Sequence, residues 1–452
     1  MDIVTIRSAT AGSLNGMSTN ESQPQPDSGA SSQPTQPESS QPQTQPQQPS
    51  PYPQPQPPYP QYQPYSAGSP SQSGQHYQQP QPQPQYPQQQ WPQYQPYQPY
   101  QYQPYPYAYP PQPPVDPETV RRRTLRKSVG RVAGLALAYQ AIFTATSLIA
   151  GMVIGLAAAA SRYGSQATSG MFSEQELSQF EQEVARQTVQ WTGVLYLLAV
   201  AVGFAFMLLM RHRTILTRAF WTGDPHEPHA AMRPAWLLAF AAMLVGVQGV
   251  SILIQVAFAA LGTPLASPTS EGIAESAVTV SMWLYIGLIG PVIEELVFRG
   301  VVMKELKPLG RNFAILTSSL MFALFHDDVV QGLFAFACGL IFAFVAMEYS
   351  LVWSIALHVF NNAVIGGVFS AIAGSFGDTG NVVYAVCLVI VGVGGLIWVL
   401  LKYGWGLREY VRVNRSAPGT YWGWTSGLFL TLVILNVLIA LISFAMAMAG
   451  AA

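Results

Sequence analysis

Residues 283–303 read WLYIGLIGPVIEELVFRGVVM, an apolar stretch interrupted by Glu294, Glu295 and Arg299 alone among charged residues. At about 1.5 Å of rise per helical residue it is long enough to cross the roughly 30 Å apolar core of a bilayer. Charged side chains at that depth cost roughly 2.5–3.5 kcal/mol each on insertion scales, so they mark a functional site. Two later apolar segments each carry a histidine: His326 in SSLMFALFHDD and His358 in WSIALHVFNNAV. Three separate segments thus hold residue types suited to moving a proton.

The composition has two unlike halves. Averaged over 452 residues, 10% are charged and 49% hydrophobic, with a mean hydropathy of +0.21. Up to about Pro117, however, the chain is almost wholly Gln, Pro, Tyr and Ser, and such a composition cannot bury enough apolar surface to offset chain entropy. It reads as a disordered tail with polyproline II character, either a spacer or a ligand for a partner protein. A net charge of −1 excludes nucleic acid as an expected partner. Cys338 and Cys387 both fall in apolar runs and imply packing, not a disulfide or a thiolate metal site. No basic-then-apolar leader opens the sequence, so an internal span is expected to direct membrane entry.

After the tail come six basic residues (Arg121, Arg122, Arg123, Arg126, Lys127, Arg131) and a first span at about 132–160. Further apolar runs lie at about 192–210, 234–262, 278–303, 312–326, 329–347, 353–373, 382–401 and 422–448. The basic flanks fall on alternate connections, which predicts a multi-pass cell-membrane protein with a cytoplasmic N-terminus. The fold class is all-α, a polytopic transmembrane helical bundle of about 8–9 spans with a disordered N-terminal tail. Between the first two spans, 173–190 carries Leu177, Phe180 and Val184 at helical spacing behind a capping box of Ser173 and Glu176; it predicts a short helix on the membrane surface.

Helical rise places the polar groups at one level: Glu294 lies roughly 15 Å from Lys304, His326 roughly 22 Å from Arg311, and His358 and Asn362 roughly 12–21 Å from the Glu348–Ser350 connection. Glu295 and Arg299 are four apart and can pair, which lowers the cost of burying both. Glu294 is turned about 100° from Glu295 and is free to point elsewhere. Pro291, behind Gly287 and Gly290, is expected to loosen the helix one turn before the carboxylates. His358 and Asn362 are also four apart and can share a cavity, with Asn361 the near alternative. Asp327 and Asp328 read as a solvated turn, and Glu348 as interfacial.

Three motifs carry a resemblance. Glu294-Glu295-Leu-Val-Phe-Arg299 resembles the EExxxR motif of the CPBP family, the CAAX protease and bacteriocin-processing (Abi) membrane proteins that include the type II CAAX prenyl endopeptidase. Phe322-Ala-Leu-Phe-His326 is similar to its FxxxH motif and His358-Val-Phe-Asn-Asn362 to its HxxxN motif. The resemblance divides the chain into a tail at 1–120, N-terminal transmembrane helices at 121–275, a CPBP/Abi catalytic core at 276–375 and C-terminal transmembrane helices at 376–452. It implies an intramembrane endopeptidase of the glutamate type, acting on a peptide or protein substrate at or in the membrane. Glu294 would be the base that activates water, His326 would help hold that water, His358 and Asn362 would stabilise the oxyanion, and Glu295 with Arg299 would organise the site.

No cofactor is expected, although Glu294, His326 and His358 could instead hold Zn²⁺ with an open water position. A non-catalytic membrane immunity or scaffold protein of the Abi type is the reading from another class. A transporter with Glu294 and His326 as proton relay is a third.

Overall fold

The computed structural model describes residues 116–163, 174–225, 227, 230–277 and 279–450. The Gln/Pro/Tyr-rich tail with its expected disorder, and Ser173 of the expected capping box, lie outside the described residues. Among those described there is no strand. In chain order the helices are α1 Pro117–Tyr163, α2 Glu174–Ile215, the short α3 Arg218–Thr222, α4 Pro234–Ala260 and α5 Pro268–Ser276. A helical rod, α6, occupies 280–306, followed by α7 Arg311–Leu324, α8 Val329–Glu348, α9 Leu351–Gly374, α10 Gly377–Val413 and α11 Gly427–Gly450.

The chain is a multi-pass helical bundle. Among the described residues seven helices (α1, α2, α4, α8, α9, α10 and α11) are long and apolar enough to cross a membrane. The two further crossings counted from the sequence correspond to α6 and α7. Helix α7 has 14 residues, about 21 Å of rise, against the roughly 20 residues a span needs. Helix α6 carries its charges inside the bundle, and every residue from Glu295 to Met303 is buried.

Helix starts follow from local chemistry. Thr217, Ser267, Thr279, Asp328 and Ser350 place side-chain oxygens on the free N–H groups that open α3, α5, α6, α8 and α9. Asp328 accepts from Gln331 N at 2.8 Å and also from Ser267 Oγ at 2.9 Å. With a third bond from Thr269 N at 3.1 Å, it is a buried cap and not part of a solvated turn. The polar stretch 174–190 is likewise no separate surface helix; it opens α2 and continues without a break into the span. Helix α1 begins at Pro117, so the basic cluster lies within it. Cys338 is packed inside as expected, whereas Cys387 is exposed.

Between helices in lipid there is little hydrophobic drive to associate, so close packing at small residues does much of the work. A Cβ added at Gly246 would lie 2.5 Å from Leu396 Cβ, and one at Gly249 would lie 2.6 Å from the Leu388 carbonyl oxygen; these glycines let α4 approach α10. Gly193 does the same where α2 meets the first turn of α6, with Met282 N only 2.2 Å from a built Cβ. Ion pairs Arg211–Glu305, Lys307–Glu227 and Arg311–Glu348 gather at one end of the bundle. Arg121 donates to the Pro418 carbonyl at 2.7 Å, and the Arg122 guanidinium lies 4.6 Å from the Trp422 ring centroid.

Gly193→Val should destabilise the protein by about 1–3 kcal/mol, the usual range for overpacking, and should lower the thermal midpoint in detergent. An unchanged midpoint would show that α2 and α6 can separate without loss.

Candidate active site

The site is built on α6, and its shape begins with a proline. Pro291 has no N–H, and its ring clashes with a carbonyl one turn earlier in a regular helix. The chain responds with a wide π turn over Tyr285–Ile289, in which Gly290 N–H donates to the Tyr285 carbonyl five residues back. The Ile286 carbonyl then has no backbone donor: Gly290 is committed, and the next candidate is Pro291. Asn362 Nδ2 supplies the missing bond at 3.2 Å. Helix α9 widens in the same way over Phe360–Phe369, opposite Gly287, where Ala363 Cβ would lie 3.2 Å from an added Cβ. The expected loosening before the carboxylates is thus a local change of helix type.

One turn on, the two glutamates diverge. Glu295 is fully buried. Its Oε1 lies 3.0 Å from Arg299 Nη1 and 3.0 Å from His358 Nδ1, while Oε2 accepts from Ser354 Oγ at 2.6 Å. Arg299 is also fully buried, donates from Nη2 to the Gly339 carbonyl at 3.3 Å, and lies over the Phe322 ring at 4.1 Å. Neither its Nη1 nor its Nε makes an aligned hydrogen bond, so the attraction to Glu295 and to the ring face holds the group. Gly339 is required here, because a Cβ would sit 3.1 Å from Arg299 Nη2.

Glu294 faces a cavity of about 570 Å³, and its side chain is 33% exposed. His326, His358, Asn361 and Asn362 line the same cavity. His358 stands between the carboxylates: Nδ1 meets Glu295, and Nε2 lies 3.6 Å from Glu294 Oε2, beyond direct hydrogen-bonding distance and open to a bridging water. Its ring stacks on Phe342 at 4.4 Å. His326 Nδ1 donates to the Phe322 carbonyl at 3.0 Å, which leaves Nε2 as an acceptor. Asn361 donates to Asn362 Oδ1 at 3.0 Å and accepts from Gln248 at 3.2 Å.

Phe322, which the FxxxH motif contains but to which no role is assigned from sequence, is a hub, within 4.9 Å of the His326 ring and 5.7 Å of His358 besides its contact with Arg299. Other cavity residues escaped sequence reading. Tyr139 and Gln140 from α1 and Tyr196 from α2 also line the cavity, so the first spans contribute to it. A polar Tyr139-Gln140 pair inside an apolar span was the available signal. Asp327, in the turn outside the apolar spans, adopts a left-handed φ of 50° and lines the cavity too. Burial pushes its carboxyl up to about 6. Among the described residues no three His, Cys, Asp or Glu side chains are arranged to hold a metal ion. Glu294, His326 and His358 line one cavity.

Fold and site together define a membrane-embedded helical protein with a carboxylate and two imidazoles facing one cavity. Residues 276–364 match the family described as type II CAAX prenyl endopeptidase Rce1-like. The chain is also similar to a membrane-embedded CAAX protease, MroQ, of Staphylococcus aureus (strain USA300), with 26% identity over 197 residues, covering 40% of this chain and 74% of that protein. No solved structure matches at comparable significance. These matches support a relationship of the motif-bearing region to the CAAX/CPBP proteases and support a membrane peptidase.

Arg299→Leu should cost about 3–5 kcal/mol, because it leaves the Glu295 carboxylate buried without its cation. Thermal unfolding in detergent reads this, and a loss under about 1 kcal/mol would mean the pair is dispensable. A double-mutant cycle tests the role of Asn362 at Ile286: Asn362→Ala should destabilise by about 1–3 kcal/mol in the native chain and by clearly less beside Pro291→Ala, which restores a backbone N–H. Equal costs in both backgrounds would contradict that role.

Proposed function

We propose that the chain is an intramembrane endopeptidase that hydrolyses peptide bonds of membrane-associated substrates through water activated by Glu294. The observation that carries this reading is the asymmetry of the two carboxylates. Glu295 is saturated by Arg299, Ser354 and His358, whereas Glu294 faces the cavity with its Oε2 3.6 Å from His358 Nε2. A pair that served only to join helices would explain Glu295 and would leave Glu294 without a reason to be there.

In this mechanism Glu294 takes a proton from water as the oxygen attacks the scissile carbonyl carbon. His326, its Nδ1–H engaged by Phe322, accepts a hydrogen bond from that water through Nε2. With Nδ1–H directed at Glu295, a neutral His358 would present a bare Nε2. His358 therefore acts as the imidazolium, donating from Nε2 to the oxyanion, with Glu295 holding the ring as carboxylates hold histidines in hydrolase triads. Asn362 adds its second Nδ2–H. Donors aimed at a developing oxyanion contribute about 3–4 kcal/mol each at the upper end. Collapse of the tetrahedral intermediate breaks the C–N bond, and protonated Glu294 returns its proton to the leaving amine.

The protein would lie in the cell membrane with the ion-paired, arginine-rich end and the N-terminus toward the cytoplasm. The zinc-dependent version of the same protease and the non-catalytic Abi-type scaffold are the alternatives to be separated by experiment.

Detergent-purified chain should cleave members of a fluorogenic peptide panel. Glu294→Gln and Glu294→Ala should each lose about 10²–10⁴-fold of that rate while inserting normally. Full activity in either variant would remove the proposed base. Cleavage that survives chelator dialysis favours the metal-free route; loss restored by Zn²⁺ favours the metal version. A biological phenotype retained by both Glu294 variants would point to the scaffold.

A further inference from the structure

A second cavity, of about 670 Å³, lies between α4, α7, α8 and α10 and shares no lining residue with the first. Its size falls within the roughly 300–1,000 Å³ common for ligand sites. The walls are apolar, with Phe240, Val247, Leu340, Ile341, Val399 and Leu400 among them, and one end carries Asn312, Arg415 and Ser416. Lining residues on α4 run from Trp236 to Val247, about 16 Å at helical rise. That is about half of the roughly 30 Å hydrocarbon core, the depth of one leaflet. Leu400, Val411 and Tyr421 on its walls are 45%, 52% and 43% exposed, so the groove is open to whatever surrounds the bundle.

The polar end has unmet chemistry. Ser416 Oγ is buried and has no hydrogen-bond partner. A buried hydroxyl in that state lacks the partner such groups ordinarily have. Arg415 follows α10 and is exposed, and no ion pair engages its guanidinium among the described residues. The acidic groups nearby are already matched: Glu348 by Arg311 and the Tyr410 hydroxyl, Glu409 by Arg412. Asn312 uses Nδ2 on the Val411 carbonyl at 2.7 Å. Trp236 and Tyr403, 4.8 Å apart, stand on the groove wall as the aromatic residues favoured near a membrane interface do.

We propose that this groove binds one phospholipid of the adjacent leaflet with an anionic headgroup. An acyl chain fills the apolar groove, and the phosphate accepts hydrogen bonds from the Arg415 guanidinium and the Ser416 hydroxyl. Basic pockets between membrane helices recognise anionic headgroups in this way. The site is separate from the peptidase cavity but adjoins its support. Ile341 on α8 lines the groove, while the next residue, Phe342, stacks on His358. A bound lipid therefore braces α8 from behind.

The full chain, purified in mild detergent, is examined by native mass spectrometry and placed in nanodiscs of dioleoyl phosphatidylglycerol or dioleoyl phosphatidylcholine. Phosphatidylglycerol should remain bound at about one molecule per chain and raise the melting temperature by several degrees over phosphatidylcholine. Arg415→Gln should weaken retention about tenfold, the loss of roughly one charge-assisted contact. Leu340→Trp, which fills the groove and leaves the headgroup residues intact, should abolish retention. Equal retention of the two lipids, or phosphatidylglycerol binding untouched by both substitutions, would overturn the proposal and leave general coating by lipid. The readout needs no cleavage activity, so it stands or falls apart from the peptidase reading.

Discussion

The ion pair between Glu295 and Arg299 is the constraint around which the bundle is arranged. Two opposite charges with no exposed surface are tolerable only if their partners are in place, and those partners come from three other helices. Gly339 of α8 leaves room for the guanidinium and accepts from it; Phe322 of α7 covers it; Ser354 and His358 of α9 complete the carboxylate. Moving any of the three helices would strand a charge. The pair therefore sets the relative positions of α6, α7, α8 and α9, and with them the place of His358 beside Glu294.

Pro291 acts through the backbone in a parallel way. By removing one N–H it widens α6 and leaves the Ile286 carbonyl to be met by Asn362, so a helix defect becomes a cross-link between α6 and α9. The Phe298 carbonyl, within the second widened stretch of α6, takes the Met303 N–H five residues on and also accepts from Ser318 Oγ of α7 at 2.8 Å, which ties α6 to α7. Inside a bundle without water, each backbone group released from helical bonding must find such a partner. The polar residues of the motifs thus hold the scaffold as well as face the cavity.

Much was legible in the chain because of how lipid acts on sequence. Long apolar runs identify spanning helices with little ambiguity, and charges within them stand out. The pairing of Glu295 with Arg299 and the divergence of Glu294 followed from helical periodicity alone, since residues four apart share a face and adjacent ones do not. Local reading failed where neighbours decide. Asp328 looked like part of a polar turn until Ser267 and Thr269 of a distant segment were seen to bind it. The stretch 174–190 looked surface-bound because its polarity says nothing about where the helix it begins will end.

The sequence by itself determined the helical bundle, the membrane-spanning segments and the seven residues of the three motifs, because these depend on composition and on spacing within single helices. The tertiary structure alone decided that Tyr139 and Tyr196 from the first two helices help enclose the cavity, that Phe322 joins both histidines to Arg299, and that an apolar groove ends at Arg415 and Ser416. Contacts between helices depend on which faces meet. In a bilayer those faces are chosen by small residues and buried polar partners, and no local stretch of sequence encodes that choice.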